Sequence, residues 1–162
     1  MNARLEDLRK QLVALPKPED RRAAELLSAA RNFGEAIVCI MHENAGISGC
    51  QPGDMETRRM KIMEASGMLD AAGVMAARHP VASQFFEQHQ VMELLWTIQA
   101  VALCIAEGRE DAIESRVAVT IAMGRKARQA LLARSLQTPP VTPGMEEAAP
   151  ADPAKKWWQF WR

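Results

Sequence analysis

Apolar residues recur three and four positions apart along most of residues 1–137, which is the period of amphipathic helices. Strand signals are weak, because the chain contains no Tyr and no alternating run of β-branched residues. Pro and Gly residues divide the helical pattern into five segments. We expect helices at about residues 3–15, 19–45, 55–78, 84–106 and 109–136.

The fourth predicted helix is the most apolar, and we expect it to be central. One stripe contains the residues Phe85, His89, Met92, Trp96 and Leu103. Further apolar residues extend this face over about two thirds of the circumference, which requires neighbours on several sides. Long helices with short connections favour antiparallel neighbours. The predicted fold is therefore all-α: an antiparallel up-down bundle of four main helices plus a short N-terminal helix. Asp54 and Ser83 are the expected N-caps of the third and fourth helices.

The first helix carries a short leucine seam at three-four-three spacing, formed by Leu5, Leu8, Leu12 and Leu15. A helix of this length is marginal on its own in water. The seam therefore packs either on the parent bundle or against a second copy. Residues 1–16 are accordingly an N-terminal bundle helix or a dimerisation arm.

The composition changes after Gln137. Residues 138–154, TPPVTPGMEEAAPADPA, contain five prolines and no periodic apolar pattern, which predicts a disordered or polyproline-like linker. Residues 155–162, KKWWQFWR, contain half of the eight aromatic residues of the chain. The predicted domains are thus a helical bundle over 1–137, a linker over 138–154 and a Trp-rich basic tail over 155–162.

The tail has four candidate roles. The residues that carry them are Lys155, Lys156, Trp157, Trp158, Phe160, Trp161 and Arg162. The first role is contact with a membrane interface, because Trp side chains favour the level of the lipid headgroups and Lys and Arg side chains are attracted to anionic lipid. The same residue types serve as interface hot spots in a docking peptide, or as stacking groups on single-stranded nucleic acid. The fourth alternative is that the tail folds back on the bundle, for which a long proline-rich spacer is poorly suited.

Charge gives a second candidate surface. The formal net charge is zero, which does not support a general nucleic-acid coat. An up-down bundle, however, would collect basic residues at one pole, which is a candidate polyanion-facing surface; they are Arg21, Arg22, Arg78, Arg125, Lys126, Arg128 and Arg134. The alternative interpretation is ordinary solvated helix faces and matching of the helix dipoles.

The sequence contains only weak signals of a metal-binding or catalytic site. Cys39 with His42, and His89 with Glu93, have spacings that place two metal ligands on one helix face, but no Glu-x-x-His pair of a bundle metal site accompanies them. Cys50 has no adjacent basic pair to activate it. We therefore expect no catalytic residues, no metal and no cofactor.

The sequence as a whole is best interpreted as a non-enzymatic helical adaptor. We expect a dimeric protein whose bundle binds a protein partner and whose tail contacts the cytoplasmic membrane face or a membrane-associated protein. The acidic residues in the first segment, MNARLEDLRKQL, differ from a secretory signal and favour a cytoplasmic location. The alternative function is a small accessory protein that binds DNA or single-stranded nucleic acid through the basic pole and the tail.

Overall fold

The computed structural model describes residues 2–41 and 55–137, and this part of the chain is predominantly helical, without strands. The helices within these ranges are α1 (Ala3–Ala14), α2 (Arg21–Met41), α3 (Met55–Arg78), α4 (Pro80–Gln88), α5 (Val91–Ala106) and α6 (Ile113–Gln137), with a 3₁₀ turn at Glu110–Ala112 before α6. The predicted helix end at 42–45, the Asp54 cap, the linker and the tail lie outside the described residues.

The chain divides into two units, Met1–Leu132 and Ala133–Arg162. All of the helix packing described below belongs to the first unit. The described part of the second unit is the last segment of α6, residues 133–137.

Helix α5 lies at the centre of the core, as its broad apolar face predicted. It contacts α1, α2, α3 and α4, and eleven of its sixteen residues are buried. Leu95, Ile98 and Val101 are completely inaccessible to solvent. Such burial contributes about 1.5–3 kcal/mol for each large aliphatic side chain, so the apolar surface of α5 is a main source of stability.

The leucine seam of α1 packs within its own chain. Leu5, Leu8 and Leu12 are buried, and Leu15 packs against the same core. Helix α1 contacts both α2 and α5, and the Arg31 guanidinium donates hydrogen bonds to the carbonyl oxygens of Leu12 and Leu15. Of the two alternatives for this seam, the structure shows the one in which α1 packs on the core of its own chain.

The fourth predicted helix is two helices. Helix α4 ends at Gln88, and Gln90 adopts left-handed backbone angles, with φ 49° and ψ 37°, before α5 begins. The axes of α4 and α5 differ by 60°. The left-handed conformation costs a non-glycine residue about 1–2 kcal/mol and is therefore not expected at a glutamine. His89 and Gln90 consequently give no signal in the sequence that the helix breaks here. The predicted stripe is consequently interrupted at His89.

The caps of α4 also differ from the prediction. Its N-cap is His79, whose Nδ1 accepts a hydrogen bond from the backbone N–H of Ala82 at 3.2 Å. Pro80 occupies the first helical turn, where a missing N–H has no cost. Ser83, the expected cap, lies inside α4, and its hydroxyl accepts a hydrogen bond from Arg128. The predicted start of the fifth helix at 109 is replaced by the 3₁₀ turn.

Within the described ranges, no individual helix combines the length and the apolar character of a membrane span. The bent pair α4 and α5 meets those criteria only when both helices are taken together.

Candidate functional site

Trp96 of α5 lies between α3 and α6. Its indole N–H donates a hydrogen bond to Asp70 Oδ1 of α3 at 3.2 Å, and its side chain is largely buried. Helix α6 crosses the indole at Gly124. A Cβ atom at Gly124 would lie 2.5 Å from Trp96 Cζ2, so the absence of a side chain there allows the helix to approach the ring. A single aromatic residue thus sets the spacing of three helices.

Asp70 is affected by its place beside Trp96. Asp70 as a whole is exposed, but the neighbouring helices partly desolvate its carboxyl group; this raises the pKa of Asp70 above its ordinary value, and the hydrogen bond from Trp96 partly opposes the rise. A carboxyl group with a raised pKa binds its proton more tightly in the folded than in the unfolded chain. Asp70 therefore makes folding less favourable as the pH rises through its folded pKa.

We expect Asp70→Asn to increase the stability of the protein slightly at pH 7. Asparagine keeps an oxygen acceptor for the Trp96 N–H and removes a charge whose partial desolvation is unfavourable; the effect is small because Asp70 is otherwise exposed. The difference from the parent chain should disappear below about pH 3.9, the ordinary aspartate pKa, because the carboxyl group is then protonated in both states.

Urea unfolding of both chains between pH 3 and pH 8 measures this effect. Glu64→Gln, which removes an exposed carboxylate from the same helix, is the control and should change stability by less than about 0.5 kcal/mol at every pH. A larger destabilisation by Asp70→Asn at pH 7 than at pH 3 would contradict the assignment.

A groove of about 250 Å³ opens beside Trp96, between α4, the start of α5 and the second half of α6. Its apolar lining consists of Phe86, Met92, Trp96 and Leu132. Its polar lining consists of Glu87, Gln90, Glu93, Arg125, Arg128 and Gln129. The groove thus has the apolar and polar parts that recognition sites combine, at the size of an amino-acid side chain rather than of a large cofactor.

The charged residues of the groove are paired across it. Arg125 of α6 contacts Glu93 of α5, with 2.6 Å between Nη2 and Oε1. Arg128 contacts Glu87 of α4 at 2.7 Å and donates a hydrogen bond to Ser83 at 3.2 Å. Two positive charges are therefore balanced by two negative charges. This arrangement favours an apolar or aromatic side chain as occupant over a free anion, because an anion would have to displace a carboxylate.

The predicted polyanion-facing residues are only partly available to a polyanion. Arg125 and Arg128 are paired as described, and Arg21 and Arg22 both contact Glu25, at 3.0 and 3.3 Å. Arg78, Lys126 and Arg134 are exposed. Carboxylate partners are thus established for Arg21, Arg22, Arg125 and Arg128, which reduces the positive potential of the pole. Its role as a polyanion surface stays a prediction.

Of the residues considered for metal binding, His89 and Glu93 both belong to the described residues, and each has another neighbour. The His89 ring lies 4.5 Å from that of Phe85, centroid to centroid, and Glu93 is engaged by Arg125. His42 and Cys50 lie outside the described residues. Among the residues that are described, no group of three or more His, Cys, Asp and Glu side chains could hold a metal ion.

The predicted tail, Lys155 to Arg162, lies outside the described residues. Sequence reasoning identified Trp96 as part of a buried stripe but missed its partners. A glycine at 124, in a helix otherwise rich in helix formers, is a signal that could have indicated a close approach. Asp70 had no such signal, because 26 residues separate it from Trp96.

In comparisons with known proteins, no family model, no curated protein and no solved structure matches the chain.

Proposed function

We propose that the chain is a non-enzymatic helical adaptor that works as a dimer in the cytoplasm. Its folded unit binds a protein partner, and residues 155–162 contact the cytoplasmic face of a membrane or a membrane-associated protein. The observation that carries this proposal is the concentration of four aromatic and three basic residues within those eight positions. Elsewhere in 154 residues the chain has only four aromatic residues, so this segment is chemically distinct from the rest.

The energetics of such a tail favour reversible contact. Half-burial of four aromatic side chains removes roughly 400 Å² from water, worth about 10 kcal/mol. Ordering eight residues costs about 12 kcal/mol, and three basic groups at an anionic surface contribute about 3 kcal/mol. These contributions nearly cancel. One tail is therefore a weak anchor, and two copies held together in a dimer would bind much more firmly.

The finer arrangement of the fold supports a rigid partner-binding unit. We infer an up-down bundle in which α1, α3 and α6 run antiparallel to α5. Along α3 and α5, Asp70 contacts Trp96 whereas Arg59, near the other end of α3, contacts Glu107. Along α6 and α5, Arg125 contacts Glu93 whereas Arg116 contacts Glu107. In both pairs the residue numbers rise in opposite directions.

We propose that the groove beside Trp96 receives an apolar side chain of the protein partner. Its lining comes from α4, from Gln90 and from α5 and α6, and the ion pairs of Glu93 with Arg125 and of Glu87 with Arg128 join α6 to the other two helices. The paired residues Arg125 and Glu93 provide donors and acceptors beside the apolar part. Such a combination orients a bound side chain and excludes water around it.

Vesicle co-sedimentation tests the tail. We expect the full chain to pellet with vesicles of phosphatidylcholine and phosphatidylserine more than with phosphatidylcholine alone, and a chain ending at Ala154 to stay in the supernatant. Three basic groups near an anionic surface are expected to strengthen binding by about 3 kcal/mol. Added salt screens these charges and should therefore weaken the binding.

A matched variant separates aromatic from basic contributions. Replacing Trp157, Trp158, Phe160 and Trp161 by Ser keeps the three charges, and it should abolish pelleting at physiological salt. Equal pelleting of this variant and the parent chain would contradict the proposal.

The second candidate function is binding of single-stranded nucleic acid. The observation that favours it is the composition of α6, in which every charged residue after Glu114 is basic. Binding of a labelled oligonucleotide should then weaken steeply as salt is added, by about 0.7 log units per phosphate contact for each tenfold increase.

A further inference from the structure

Helix α6 exposes an apolar surface to solvent. Val119 is 57% exposed and Met123 is 67% exposed, which are among the largest exposures of apolar side chains in the described chain. The α6 outer face, as we name it, consists of Ser115, Val119, Ala122, Met123, Lys126 and Ala130, all of which are exposed. These positions are three or four residues apart and therefore form a continuous stripe on the helix.

The opposite side of α6 attaches the helix to its own chain. Ile113 is buried, Val117 and Ile121 pack against the core, and Gly124 lies against Trp96. The outer face is therefore not required for packing of α6 within the chain. Its alanines are small enough for a second helix to approach at the usual 8–10 Å between axes.

The charges along α6 are arranged asymmetrically around this surface. Acidic residues lie at its beginning, where Glu110 and Asp111 form the 3₁₀ turn and Glu114 begins the helix. Basic residues lie in its second half, where Arg125, Lys126 and Arg128 follow one another closely. Val119 and Met123 lie between the two groups. Such a distribution is complementary to itself when a second copy runs in the opposite direction.

We propose that the α6 outer face is the surface through which two copies of this chain associate, with their α6 helices antiparallel. In a pair centred on Val119, the two Val119 side chains meet, and Met123 of each copy is opposite Ser115 of the other. Lys126 and Ala112 are equally far from the centre, so Lys126 of one copy is opposite Ala112 of the other. It therefore lies next to Asp111, the residue that precedes Ala112. This inference deepens the dimeric part of the proposed function and locates it on α6 rather than on α1.

The charges that face the proposed contact allow this pairing. Asp111 and Lys126 are both exposed, so each is accessible to a second copy. Glu114 is already held by Arg4, and Arg125 and Arg128 by Glu93 and Glu87. The intermolecular contribution is therefore expected mainly from Asp111 and Lys126. A contact of one helix face from each copy belongs to the small, transient class of interfaces, so we expect a dissociation constant on the order of tens of micromolar.

Analytical ultracentrifugation of the full chain between about 1 and 500 µM tests the surface, without any membrane present. We expect a reversible monomer–dimer equilibrium. Val119→Gln combined with Met123→Gln should weaken it at least about tenfold, because the apolar centre of the contact is lost. The control is Met60→Gln with Met63→Gln, which changes two methionines of similar exposure on α3 and should leave the equilibrium unchanged.

A charge exchange tests the antiparallel direction. Lys126→Asp alone should weaken association about fivefold to tenfold, and Asp111→Lys alone should do the same, because each places like charges opposite each other. The combined variant should restore association to within about twofold. Circular dichroism confirms that each variant is folded, as expected for exposed positions.

Three results would overturn the inference. They are a chain that stays monomeric up to 500 µM, a dimer that the Val119 and Met123 changes do not weaken more than the α3 control, and a combined charge exchange that fails to restore association. Because lipid plays no part in this test, a tail that does not bind vesicles leaves its outcome unchanged. A chain that stays monomeric overturns the α6 contact, and it removes the gain in vesicle affinity that pairing of two tails would give without removing the difference between the full chain and the chain ending at Ala154.

Discussion

Replacing Leu12 by Ala is expected to lower the free energy of unfolding by about 3 kcal/mol. Leu12 is completely buried where α1 meets α2 and α5, and a Cβ atom at Gly34 would lie 2.6 Å from its Cδ2. Removal of its side chain leaves a cavity that these packed helices fill only partly. Urea unfolding followed by circular dichroism measures the loss.

The same experiment separates packing within the chain from pairing between chains. A loss caused by packing within one chain does not depend on protein concentration, whereas loss of a dimer seam would be smaller in dilute solution. Val13→Ala, at a position 63% exposed, is the control and should change stability by less than about 0.5 kcal/mol. A Leu12→Ala effect below about 1 kcal/mol would contradict the position of α1.

Replacing Gly124 by Ala is expected to destabilise the protein by about 1–3 kcal/mol, although alanine favours helices more than glycine does. The new methyl group would lie within 2.6 Å of three atoms of the Trp96 ring, and a ring cannot bend away as a flexible side chain can. Either α6 or the indole must shift, and the hydrogen bond from Trp96 to Asp70 would be strained.

The same substitution at Gly67 is expected to have the opposite effect on stability. Gly67 lies in α3, and a Cβ atom there would have no neighbour within 4 Å. Alanine should therefore stabilise the chain by about 1 kcal/mol through helix propensity alone. The two substitutions are chemically identical, so the difference in sign measures the contact with Trp96. Stabilisation by both would show that α6 does not cross the ring at Gly124.

Local signals were sufficient to predict most helices. The predicted bounds of the third helix, 55–78, are those of α3, and its end is marked by Pro80 two residues later. The apolar width of the fourth helix predicted the central position of α5. The break between α4 and α5 could not be predicted, since it depends on Gln90 adopting a conformation that its side chain disfavours. Such a conformation is maintained by tertiary packing and has no local sequence signal.

The candidate groove was less predictable than the fold. Arg125 and Arg128 were identified as basic residues of one pole, but their partners Glu93 and Glu87 come from other helices. Ion pairs between helices depend on axial rotation and register, which composition does not determine. The exposed surface of α6 was also hidden in the sequence, because Val119 and Met123 follow the same periodicity as core residues.

Tryptophan fluorescence in the presence of anionic vesicles tests the central claim, membrane contact by residues 155–162, most directly. The chain ending at Ala154 retains Trp96 alone, so it reports any change in the folded unit. The account predicts a blue shift for the full chain upon addition of phosphatidylserine vesicles, and none for the shortened chain, because only the tail tryptophans leave water. An unchanged spectrum of the full chain, or an equal shift in both chains, would contradict it.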